Sequence, residues 1–102
     1  MAFSSGIHVV CCTVSERDNA ALLREVYWAR TMSGAGATDI AVPTGANTSV
    51  MFEIAAGVDA FITRGATPPD PASASSPRVL VRAGETRNLF CDPGDKLAWA
   101  AA

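Results

Sequence analysis

The side chains able to do chemistry are few in this chain, and their spacing suits no ordinary site. One histidine, His8, stands close before the pair Cys11-Cys12, and a third cysteine, Cys91, lies near the far end of the 102 residues. Zinc takes four Cys or His ligands in a closed tetrahedron, or three with an open position. His8 with two adjacent cysteines offers no such spacing, so no metal is expected and no cofactor is assigned. Adjacent cysteines rarely bridge each other, because disulfide geometry is demanding. Cys91 could bridge Cys11 or Cys12 if the first and last strands were neighbours. The preferred reading is three buried thiols acting as small hydrophobic groups, and an odd count points to a reducing cytoplasm.

Glu53, Asp59, Glu85, Asp92 and Asp95 are the candidates for paired acid and base, yet each falls on an outward strand face or in a turn. Asp92 and Asp95 flank Pro93-Gly94, where aspartates bond the N–H groups of the turn. Calcium there would find too few oxygens. No G-x-S-x-G occurs, and "SGAGAT" lacks the Lys-Ser/Thr of a phosphate loop. A cupin-like metalloenzyme would need several histidines. The chain is read as non-enzymatic.

Charge narrows the partners further. Eight basic and ten acidic residues are well mixed, for a net charge of −2. That leaves no basic stripe for nucleic acid and no polybasic segment for a membrane surface. No apolar run approaches the roughly 20 residues of a spanning helix. "IHVVCCTV", residues 7–14, has neither a basic flank nor a clear cleavage site and is not read as a signal peptide.

Short strands and turns must position these residues. "SVMFEIAA" alternates, with Val50, Phe52 and Ile54 on one face and Met51 and Glu53 on the other. "VDAFITRG" alternates again through Val58, Ala60 and Ile62, and the two runs around "AAG" read as a hairpin. Ile40 and Val42 alternate up to Pro43, after "MSGAGAT", a flexible turn. Leu22, Val26 and Trp28 fit one strand face, while Ser15 with Asp18 fits a weak helix cap, so a helical turn or short helix is expected near residues 15–23 and a strand from about 24 to 31. Residues 66–77, "ATPPDPASASSP", hold four of the six prolines and form an exposed loop without a ladder. "RVLVR", "TRNLFC" and "KLAWA" follow as three strands separated by two glycine turns.

The sum is seven or eight short strands, an all-β chain folded as a small β-sandwich or jelly-roll-like domain. Residues 1–14 form an N-terminal strand or docking arm, and residues 15–102 a single sandwich. Val50, Phe52, Ile54, Val58, Ala60, Ile62, Leu97 and Trp99 line one core. The last strand is covered either by a neighbouring subunit or by the sheet, beside the N-terminal strand.

Two stretches, "GATDIAVPTGANTSVMFEIAAGVDAFITRGATPP" and "VRAGETRNLFCDPGDKLAWAA", resemble small virion proteins of tailed bacteriophages and prophages. The matching positions are Ile40 to Pro43, Val58 to Gly65, Ala83 to Glu85 and Pro93 to Ala100, in about two-thirds of the chain. The resemblance implies a structural component of the virion, made in the bacterial host cytoplasm and without enzyme activity. A capsid decoration (cement) protein is the leading reading: many copies bridge subunits of the major capsid protein, and the chain is a homo-oligomer, with a trimer preferred. The alternatives are a tail, neck or fibre component, or a module binding a ligand at the host surface. Neither nucleic acid nor membrane is expected as a partner. The expected contact residues are Phe3, Ile7, Val9 and Val10 in the apolar N-terminal segment, with Met51 and Phe61 as outward apolar side chains.

Overall fold

The computed structural model describes residues 6–17, 20–43 and 50–102, and for residues 14–17 and 20–24 only the strand pairing is described. Eight strands follow in order: β1 Ile7–Arg17, β2 Ala20–Met32, β3 Gly36–Ala37, β4 Val50–Ala56, β5 Ala60–Gly65, β6 Val79–Val81, β7 Thr86–Cys91 and β8 Lys96–Ala101. They form two four-stranded sheets, ordered β2-β1-β4-β7 (sheet A) and β3-β8-β5-β6 (sheet B). Every pairing is antiparallel. The chain is an all-β sandwich.

Alternation builds the core. Cross-strand partners share a face, so Trp28, Cys11, Phe52 and Leu89 form one row across sheet A, and Val9 and Ile54 lie in the next. Sheet B contributes Ala60, Ile62, Val81, Leu97 and Trp99 to the same cluster. Trp28 and Phe52 meet in a tilted arrangement, with ring centroids 5.9 Å apart and planes at 54°, within the separation at which aromatic pairs attract. Seven of the eight expected core residues are in this cluster, and Val58 packs against it half-buried.

The expected hairpin around "AAG" is not formed. β4 lies in sheet A and β5 in sheet B, so the two alternating runs face each other across the core instead of pairing. Gly57 N–H bonds to Gly6 O (2.9 Å), Ala56 N–H to Glu85 O (3.1 Å) and Gly84 N–H to Ala56 O (2.8 Å). These bonds use up the backbone groups that a hairpin would have paired. The helix considered near residues 15–23 is also absent: β1 runs to Arg17 and β2 starts at Ala20, paired residue for residue. Ladder pairing with β1 there outweighs a weak cap.

Two further readings change. β3 forms inside "MSGAGAT", pairing Gly36 with Trp99 and Ala37 with Ala98, whereas residues 38–43 form no strand. Those residues still close one flank, through Thr38 N–H to Leu97 O (2.7 Å) and Val42 N–H to Asp95 O (2.8 Å). In β2 the partner of Cys11 is Trp28 and that of Cys12 is Val26, so Tyr27 is bulged out. The bulge sends Trp28 inward and Val26 outward, onto opposite faces. Lastly, β8 lies between β3 and β5, away from β1.

Residues 66–77 have no ladder, as expected, but they do not stand free. Thr63 Oγ1 donates to Pro69 O (2.6 Å) and Arg78 Nη1 to Pro71 O (3.2 Å). Arg78 in turn stacks 3.6 Å above the Phe61 ring. The loop is strapped over the outer face of sheet B, where Thr63, Ala98 and Ala100 are buried.

Two stability measurements check this packing. Phe52→Ala should lower the unfolding free energy by about 3–5 kcal/mol, the usual range for a truncated core phenylalanine. Gly6 and Gly84 both have left-handed backbones, with φ of 71° and 82°. A Cβ at Gly6 would collide with the backbone of Met32, while Gly84 has open space around it. Gly6→Ala should therefore cost at least ~2 kcal/mol and Gly84→Ala about 1 kcal/mol. Equal losses in denaturant titrations would refute the contrast.

Candidate functional site

The strands spread the reactive groups apart. His8 pairs with Thr31 and Ala55 on the outer face of sheet A, its Nδ1 2.7 Å from Thr31 Oγ1. Cys11 is on the opposite, core-facing side. Cys12 shares the face of His8 but lies four residues on, roughly 13 Å along an extended strand. Among the described residues no three His, Cys, Asp or Glu side chains come together as a metal site.

The carboxylates are each held separately. Asp59 Oδ1 accepts the Ala83 N–H at 2.8 Å. Glu85 Oε1 accepts the Arg82 N–H (2.9 Å) and Oε2 pairs with Arg87 (3.0 Å). The backbone bond first, and the arginine second, keep the Glu85 carboxyl below its usual range. At the far end, Asp95 Oδ2 takes both Arg64 Nη1 (3.2 Å) and the Asp92 N–H (3.0 Å). The Asp95 carboxylate is thus engaged by a guanidinium and a turn amide. Among the described residues, no hydrogen bond joins two carboxylates as acid and base.

The three cysteines are free and buried. The Cys91 side chain nearby draws the Cys11 thiol below the ordinary range, while Cys11 first, and then burial, hold Cys91 well above it. Yet β4 lies between β1 and β7. Two strand spacings are roughly 9.5 Å, and a disulfide needs Cα atoms within about 7 Å. Cys11 and Cys91 cannot bridge without moving the backbone. Cys12, on the outer face, bonds to Met51 O at 3.7 Å, and burial first, then Glu53, pushes its thiol up to about 11.

Of the expected contact residues, Ile7 and Val9 are core and Met51 is only 1% exposed. Val10 and Phe61 are half-buried, and Phe3 lies outside the described residues. Residues 7–13 pair with both β2 and β4, so the strand alternative holds for them and the arm does not. Their apolar character serves the core. Among the described residues, the exposed large apolar side chains are Val26 (51%), Tyr27 (39%), Leu80 (36%) and Phe90 (52%). Alternation through "TRNLFC" could have flagged Phe90, since Leu89 and Cys91 point the other way.

Among the described residues, one concavity of about 420 Å³ opens between the sheets and is lined by Ile62, Thr63, Arg64, Pro77, Val79 and Leu89. Another, of about 300 Å³, lies between the proline loop and the β3–β8 edge, over Gly36, Ala37, Ala98 and Ala100. Their linings are chiefly apolar.

The thiols give a test of this packing. In the native protein none of the three should react with an aromatic disulfide reagent at neutral pH, and all three should react in denaturant. The unfolded chain loses the Cys12 proton near 9.0 and the folded chain near 11. This thiol therefore favours unfolding increasingly as pH rises through that window, and Cys12→Ser should flatten the fall in stability between those values. Against known protein families, curated proteins and solved structures, the chain finds no match.

Proposed function

We propose that this chain is a non-enzymatic structural protein of a tailed-bacteriophage virion, a decoration protein that cements the head by bridging major capsid subunits. The observation that carries the reading is the β1–β2 ribbon. β4 pairs with β1 only from Ile7 to Thr13, whereas β1 and β2 stay paired to Arg17 and Ala20. Beyond Thr13, among the described residues, the two strands continue as a ribbon with no third strand paired to it. A two-stranded ribbon is marginal alone in water, so it calls for another surface to lie on. The turn-and-strand pattern that resembles small virion proteins supports the same reading.

The docking element in this reading is the ribbon, in place of the segment before Val14. Shortening it by deleting residues 16–21 should leave a folded sandwich that no longer joins particles. Mass spectrometry of purified particles, with heads and tails separated, should find the intact chain in the head fraction. Recovery with the tails would place it in the tail or neck. Absence from both fractions would refute a virion role.

A further inference from the structure

An exposed strand edge is a template for another strand, and proteins usually blunt it by shortness, charge, bulges or cover. Three of the four sheet edges here are blunted. β3 has two residues and β6 three. β2 is broken by register shifts at Cys11/Cys12 and Thr13/Val14. Its flank is also tied to residues 38–43, through Trp28 Nε1 to Ala41 O (3.1 Å) and Arg30 to Asp39 (3.0 Å).

Among the described residues, β7 is neither short, bulged nor covered. It runs six residues, in unbroken register with β4 from Cys91 to Thr86. Its one charged residue, Arg87, is neutralised by Glu85. Among the described residues, the backbone groups of Thr86–Cys91 bond to nothing but β4. Phe90 on this edge is half exposed. The cleft of about 420 Å³ beneath Leu89 and Val79 opens at the same flank, where β6 stops after pairing Ala60–Ile62.

We propose that β7 pairs antiparallel with β7 of a second copy about a two-fold axis, joining the two A sheets into one of eight strands. The partner must bring a regular, nearly uncharged free edge of matching length, and β7 itself is the strand that supplies one. An axis normal to the sheet keeps the outer face outward, so positions of equal parity oppose each other. Centred on Leu89, the register sets Leu89 against its own copy over the two clefts and Phe90 against Asn88 of the other chain. No like charges meet. This interface does not rest on the virion reading, because it belongs to the isolated protein.

The test is the mass of the purified full chain in solution. Wild type should sediment at twice the chain mass. Asn88→Lys with Phe90→Lys alters two exposed side chains and sets like charges across the axis. Self-association should weaken at least ~100-fold, with an unchanged β-sheet spectrum. Mixing that variant with Asn88→Glu/Phe90→Glu should restore the dimer. A monomeric wild type, a trimer, or a lysine variant that keeps the dimer mass would overturn the proposal. If the lysine variant fails to fold, amide exchange of wild type decides: β7 amides should lose protection on dilution, and concentration-independent protection refutes the pairing.

Discussion

The row Trp28–Cys11–Phe52–Leu89 crosses all four strands of sheet A and is buried against Ile62, Val81, Leu97 and Trp99 of sheet B. This contact between two apolar faces is what the rest of the molecule is arranged around. In a chain rich in alanine, few side chains are large enough to fill such a layer, so each must come from the correct face of its strand. The bulge at Tyr27 serves that need, since without it Trp28 and Val26 would share a face. The chain also passes between sheets from β2 to β3, β3 to β4, β4 to β5, β6 to β7 and β7 to β8. The passages into β4, β5, β7 and β8 each deliver another apolar run to the shared interior.

Closing the sandwich this way uses up the polar groups. At one end Gly6, Ala56, Gly57 and Gly84 bond across the sheet-to-sheet links, with Asp59 and Glu85 holding turn amides. At the other, Asp95 gathers Arg64 and Asp92 while Val42 bonds to Asp95 and Gly94. Three of the carboxylates that looked available for acid–base work, Asp59, Glu85 and Asp95, are fastenings of these ends. With these groups engaged, the proposed contact role rests on the faces and edges of the sandwich.

Alternation over residues 50–54, 58–62 and 97–99 was enough to name the core and the fold class, because period-2 burial is a local property of a strand. Four prolines likewise ruled out a ladder in residues 66–77, since proline lacks the donor. Alternation tells which residues share a face. It does not tell which face turns inward, which strand lies alongside, or in which sheet. Those depend on contacts distant in sequence. Hence the runs around Gly57 proved to be opposed and not paired, Gly36-Ala37 became a strand by reaching β8, and residues 15–17 and 20–23 became ladder because β1 and β2 had each other. Three of the candidate contacts turn out buried for the same reason: Ile7, Val9 and Met51 are apolar by type, and only the tertiary structure could assign them to buried positions and leave Phe90 on an open edge.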